Sequence, residues 1–559
     1  MKMTESFVAR WISIGAALVT LLVTANVSMD PVNVPKLLLT SGLGFGMWAI
    51  VFGFNIKEIW RSNKPLLLVT FMYLALGVVT LYVSHAPFTQ NFYGVNGRNT
   101  GFLAYLALTG IMLAASQLRS KKSFTQILYA LFTAGVLNVI YCLIALSGND
   151  FIPWNNVYNK ILGTFGNPDF ISAFLGIFIT ALVAYVFKPG LSLAIRISGI
   201  VIAVIALYEV KASHAIQGLA VTAIGLAIIG FYLVRSYVKK DLFTFAYVGA
   251  VGIVGTLAVA GALQKGPLTK YIYKTSVSLR GEYWDAGITM AKTHPVTGVG
   301  FDTYGDWYRR ARSASAMILP GPSTVTNAAH NVFIDVLASG GFIFFAAYLA
   351  IFVIAFVSIV KVTLRNRSYD AVFVALAGAW ICYNVQAFIS INQIGLAVWG
   401  WLLSGCVIAY EHSTRSQTLT DTPSVKVPKK QRSRAADTQP GVVLAGVGGF
   451  IVGLIIALPP FTADSGWRTA MSSNDALKIQ AAALKFPMDS WRLANAALIF
   501  ENNKLFTQAI DMARKGVEFN PDYFDAWKVL TAVSQATPEE KTHAVAMMHK
   551  LDPRNTELK

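Results

Sequence analysis

Thirteen apolar stretches punctuate this sequence, each long enough for a helix to cross the roughly 30 Å hydrocarbon layer of a bilayer. They lie near residues 11–28, 35–54, 65–84, 101–118, 124–146, 169–187, 191–209, 215–234, 243–262, 342–360, 371–390, 393–411 and 440–460. Inside lipid each span must satisfy its own backbone polar groups, which favours helices. The expected fold is therefore all-α: a polytopic membrane helical bundle of about 13 transmembrane helices, followed by a small helical domain. Composition agrees, since 559 residues with 55% hydrophobic and 13% charged side chains leave too little polar surface for a soluble protein.

Charge orders the spans. The net charge is +18, yet the segment after Phe461 carries 12 acidic and 12 basic residues, so the excess belongs to the hydrophobic part. That distribution is a membrane matter and gives no reason to expect a nucleic-acid partner. Lys57, Arg61 and Lys64, then Arg119, Lys121 and Lys122, then Arg235, Lys239 and Lys240, then Lys361, Arg365 and Arg367 occupy alternate short loops. The positive-inside rule makes these loops cytoplasmic. Residues 85–99, 147–168, 263–329 and everything after 461 then fall outside the cytoplasm. The first apolar run lacks a convincing cleavage site and reads as a retained span. Cys142, Cys382 and Cys406 sit far apart in apolar runs, which indicates neither a disulfide framework nor zinc.

The expected organisation is a membrane domain over 1–411 with an extracytoplasmic loop at 263–341, a basic cytoplasmic linker at 412–439, a last transmembrane helix at 440–460, and an outer helical domain at 461–559. The linker carries Lys426, Lys429, Lys430, Arg432 and Arg434. In the tail, Ala509, Ala513 and Val517 recur at helix spacing, and Pro487, Pro521 and Pro553 stand 34 and 32 residues apart. That period fits a tetratricopeptide-like helical repeat, either a structural cap or a surface for a protein partner.

The loop at 263–341 is the longest polar interval between spans, and the chemistry is expected there. Lys265, Lys270, Lys274, Arg280, Lys292, Arg309, Arg310 and Arg312 oppose the usual bias against positive charge on that side, which asks for an anionic partner unless it is chance. If residues 277–292 form a helix, Arg280, Tyr283 and Trp284 share a face. Arg280 can fork onto phosphate oxygens or simply snorkel. Asn327 reads as a helix N-cap, which places His330 at the third helical position, where the helix dipole favours a neutral ring. A neutral imidazole there is a candidate general base or a hydrogen-bonded structural residue. Asp335, about 140° further round that helix, is poorly placed to orient it. Arg98, in the glycine-rich loop Gly94–Gly101, is a candidate anion contact, as are Lys211 and His214. No acidic cluster or histidine pair has metal-ligand spacing, so a metal-independent reaction without cofactor is expected.

Four segments carry a resemblance. His330-Asn331, nine residues, then Gly341; Arg280 with Trp284; His294-Pro295-Val296-Thr297-Gly298-Val299-Gly300; and Phe165-Gly166-Asn167-Pro168-Asp169 resemble, in order, the motifs of the bacterial O-antigen ligase and polymerase family. The resemblance spans roughly 90 to 410, with two departures. Phe344 stands where the family usually has Gly, Thr or Tyr, and Ser213-His214 where members often carry a serine and arginine. The resemblance implies a GT-C-like membrane glycosyltransferase of the bacterial cytoplasmic (inner) membrane. It would move a glycan from undecaprenyl diphosphate to a hydroxyl on a lipid A core, a growing polysaccharide or a protein, with inversion. In that reading Arg280 and His330 are catalytic, while Arg98, Lys211, His214, Asn331 and Trp284 bind substrate or hold local geometry. A lipid-linked glycan transporter or flippase, or a non-catalytic envelope scaffold, remains the alternative; a transporter would show polar or broken helices at the bilayer midplane.

Overall fold

The computed structural model describes residues 5–84, 86–238, 240–420 and 440–558, the side chains of 416–420 apart. Lys239 and the basic cluster Lys426 to Arg434 of the expected linker lie outside the described residues. Every regular element among the described residues is a helix.

Each of the thirteen apolar stretches lies on a helix, but ten helices among the described residues are both long and apolar enough to cross a membrane. The difference has three sources. Glu5–Leu21 has 17 residues and Phe102–Ala115 has 14, which is short for a span. The second and third stretches adjoin within residues Asn33–Val83 and count once: the first helix passes into a π-helical turn at Val51–Asn55, and the chain breaks from helix at Asn63 before Pro65, where the two helices meet at a kink. Proline at position 65 removes a helical hydrogen bond and accounts for the break.

The core of the bundle is aromatic. Tyr73 stacks on Phe344 at 4.6 Å, and Tyr348 and Trp401 pack around them. Phe344, the departure from the family pattern, thus fills the centre of the bundle. The last long helix, Pro440–Ser473, packs against Asn33–Ile50. A methyl group at Gly453 would sit 2.2 Å from the Ser41 carbonyl, so small residues let the two backbones touch. This helix runs on unbroken past residue 460, and Trp467 and Ala470 enter the core of the tail.

The tail forms a second apolar core of its own, in which Leu493, Phe500, Ala509, Ala513, Trp527 and Leu530 are buried. Its helices, Ala476–Ala483, Ser490–Asn502, Phe506–Phe519, Phe524–Ala532 and Pro538–Leu551, pack in sequence on one another.

Candidate active site

Two of the segments singled out from the sequence interlock. Residues 294–300 leave helix Thr275–Thr293 and lie along the first turns of helix Val332–Arg365. Val299 N–H donates to Ala338 O at 2.9 Å, Gly300 N–H to Ser339 O at 3.0 Å, and Phe342 N–H to Pro295 O at 2.8 Å. The last bond is possible because Gly341 adopts φ 74° and opens the helix there, while a Cβ at Gly298 would meet the Ser339 backbone at 2.3 Å. Gly298 and Gly341 therefore let two backbones exchange hydrogen bonds.

Asn331, not Asn327, caps the helix. Its Oδ1 accepts from Phe333 and Ile334 N–H at 3.0 and 3.2 Å. His330 accordingly lies before the helix in a left-handed conformation (φ 55°), rather than at the third helical position. Asp335 bonds the backbone of this turn rather than the His330 ring: its Oδ1 accepts from Ala329 N–H at 2.7 Å and so holds the turn that carries His330. The expected cap at Asn327 and the helical position of His330 failed because they assumed that residues 328–335 are one continuous helix.

Two guanidinium groups approach this turn from different sides. Arg98 is buried and donates from Nη2 to Asn327 Oδ1 at 2.5 Å. Its loop is pinned by Asp302, which accepts from Val95 N–H, Thr100 N–H and the Thr100 hydroxyl at 3.2, 2.9 and 2.6 Å. Arg280 comes from helix Thr275–Thr293, whose Tyr283 lays its ring 5.5 Å from that of His330. Burial, then the positive charges of Arg280 and Arg98, push the His330 imidazole down to about 4, so the ring is neutral at pH 7. Neutrality was the expected state; its causes are burial and the two arginines.

Each arginine borders a different space. Arg280 and Trp284 line an apolar groove of about 1300 Å³, walled by helices Ile216–Leu233, Asp241–Ala262, Val332–Arg365 and Ala371–Ile389. Arg280 Nε and Trp284 Nε1 are buried without a hydrogen-bond partner. Helix Asp241–Ala262 buries only Gly261 and closes the groove loosely. Arg98 and Asn327 instead line a polar cavity of about 500 Å³, shared with Asn392, Trp154, Asn167 and Arg468. Lys211 and His214, at the end of helix Leu193–Ala212, border neither space. Lys211 is exposed, and the His214 carbonyl accepts from Lys274 Nζ at 3.0 Å.

Three other cations of the loop, Arg309, Arg310 and Arg312, have an anionic partner within the chain. Arg312 and Asp552, both fully buried, form a two-pronged ion pair at 2.7 and 2.6 Å, and Arg309 reaches the same carboxylate at 3.2 Å. Arg310 pairs with Asp522 at 3.0 Å. Asn520 donates to Gln90 Oε1 and to Asp306 Oδ2, each at 3.1 Å. The tail thus takes up the charge of helix Tyr304–Ala311. Sequence reasoning missed Asp302, Asn327 as an arginine partner, and Asp552, since only folding brings residues so far apart in the chain together.

No curated protein matches the chain. Residues 170–349, which hold Arg280, the 294–300 segment and the turn of His330, match the family described as O-Antigen ligase; the match supports that family and, with it, a multi-pass membrane glycosyltransferase of ligase or polymerase type.

Proposed function

We propose that this protein transfers a glycan from a polyprenyl diphosphate carrier to an acceptor hydroxyl at the extracytoplasmic face of the inner membrane. One observation carries the reading: a neutral histidine feels the charges of two arginines, one bordering an apolar groove and the other a polar cavity. A polyprenyl chain suits the groove, and its diphosphate would then meet Arg280 Nε and Trp284 Nε1, donors that have no acceptor in the protein.

The chemistry follows from those positions. The acceptor oxygen attacks the anomeric carbon on the face opposite the diphosphate, and the bond between that carbon and the phosphate oxygen breaks. The electron pair leaves with the diphosphate, where Arg280 stabilises the growing charge. The hydroxyl proton passes to the His330 imidazole. Attack from the far side inverts the anomeric centre. A base with so low a proton affinity is weak in the empty enzyme. The incoming diphosphate offsets the Arg280 charge that helps to depress it, so donor binding strengthens the base. Arg98, fixed by Asn327 and Asp302, balances charge on the acceptor side.

The test is transfer by the full chain in proteoliposomes, comparing a glycan on polyprenyl diphosphate with the same glycan on polyprenyl monophosphate. The expected result is transfer from the diphosphate donor, falling roughly 10²- to 10³-fold in Arg280→Ala, the usual cost of losing one charge-stabilising donor. Equal use of both donors, or full activity in the variant, would sink the assignment.

A further inference from the structure

The polar cavity is built from parts outside the four motifs as well as from one of them. The segment Pro153–Tyr158 forms one side, the Phe165–Asn167 turn a second, and Asn392 and Gln393 a third, with Arg468 from the last long helix at its edge. Its lining is rich in side-chain amides, each both donor and acceptor, a pairing that matches vicinal sugar hydroxyls. Trp154 and Tyr158 add flat apolar faces of the kind that cover the C–H side of a pyranose ring.

These rings are held in place. Trp154 Nε1 donates to the Tyr141 hydroxyl at 2.7 Å, which in turn donates to Asp150 Oδ1 at 2.7 Å. Tyr158 is 50% exposed, and its hydroxyl accepts from Asn167 Nδ2 at 3.2 Å. Asn167 therefore both caps helix Pro168–Val186 and steadies a wall of the cavity. Among the charged lining groups, Arg98 donates to the neutral Asn327, and Arg468 and Asp30 carry opposite formal charges. Two arginines and one aspartate are outnumbered by six side-chain amides, so hydrogen bonding to neutral hydroxyls rather than charge pairing dominates recognition.

We propose that this cavity is the acceptor subsite and that it takes an uncharged saccharide. The acceptor assignment rests on the transferase reading, because a nucleophile must approach from the side of His330 opposite the diphosphate. The volume, about 500 Å³, lies within the usual range for small-ligand sites.

The test reads binding without turnover, so it stays separate from the transfer assay: a dead transferase still reports on the cavity, and an active one with a silent cavity keeps its function while losing this subsite. Full-length protein in nanodiscs is probed by saturation-transfer NMR with methyl glycosides of neutral hexoses and N-acetylhexosamines, with glucuronic acid and glucose 6-phosphate as charged counterparts. Neutral glycosides are expected to bind, roughly five- to ten-fold more weakly in Trp154→Ala and in Tyr158→Ala, as for the loss of one aromatic contact. Tyr158 is exposed enough for its variant to fold even if Trp154→Ala does not. Bare undecaprenyl diphosphate and the full lipid-linked glycan are then added in separate arms, and the glycoside is expected to stay bound in both. Displacement by the lipid-linked glycan alone would assign the cavity to the donor and overturn the proposal. So would silence from all glycosides, preference for the charged sugars, binding unaltered in both variants, or displacement by a serine-rich peptide.

Discussion

At the scale of single residues, the site turns on how His330 is kept neutral and on what fixes the two arginines. In the proposed mechanism His330 acts in its neutral form, so activity is expected above its pKa and is lost as pH falls through it. In kcat/KM, which reports the free enzyme, the acid limb is expected near 4. In kcat the limb should move to higher pH, because bound diphosphate offsets the charge of Arg280. Superimposable limbs in the two profiles would count against a diphosphate beside that arginine. Asp335→Ala removes both the acceptor for Ala329 N–H and a counter-charge to Arg98, and a roughly 10- to 100-fold loss of transfer is expected from the misplaced turn. Asp335→Asn, which can still accept that hydrogen bond, should retain more; equal losses would mean that the charge alone matters. Arg280, Trp284, His330 and Arg98 were legible as candidates because their residue types fit anion and proton chemistry. Asp302 and Asn327 were not, since nothing near them in sequence marks a buried oxygen as an arginine's partner.

At the scale of elements, the site depends on the exchange of backbone hydrogen bonds between residues 294–300 and the opened helix at Gly341. Gly298→Ala would drive a methyl group into the Ser339 backbone, and Gly341→Ala would strain a positive φ while meeting the Pro295 carbonyl at 2.5 Å. Either change is expected to lower stability by roughly 1–3 kcal/mol, the scale of one strained residue, and to reduce transfer as well. Thermal unfolding of the purified variants checks this, and wild-type melting in both would show that the interlock is dispensable. The helix Thr275–Thr293 matches the condition, a helix over 277–292, on which Arg280, Tyr283 and Trp284 were expected to share a face. The start of the next helix was misjudged by four residues, because Asn327 and Asn331 are equally good caps on paper. What decides between them is Asp335, whose bond to Ala329 holds the turn open.

At the scale of the whole molecule, the tail is tied to the loop that carries the site. Asp552 joins Arg312 in a pair with no exposure on either side, and Asp522 and Asn520 extend the contact. Asp552→Ala would leave a buried arginine uncompensated, at a cost of roughly 3–5 kcal/mol. The expected readout is faster hydrogen exchange across residues 296–331 and weaker transfer; unchanged exchange would make the tail a mere appendage. The helical bundle was legible because apolar length is written in composition. The kinked junction of the second and third stretches and the short helices were not, since neither a proline kink nor a helix of 14 residues stands out in a hydropathy reading. The use of the tail was hidden too. Its acidic residues pair with Arg309, Arg310 and Arg312, so these three of the loop's cations need no separate anionic partner. The measurement that bears most directly on the central claim is single-turnover transfer at saturating donor by the full chain, wild type against His330→Ala, with donor binding followed in parallel. Unchanged donor binding with transfer reduced roughly 10²- to 10⁴-fold is the predicted result, the range for loss of a general base. Transfer at the wild-type rate would contradict it and remove His330 from the chemistry.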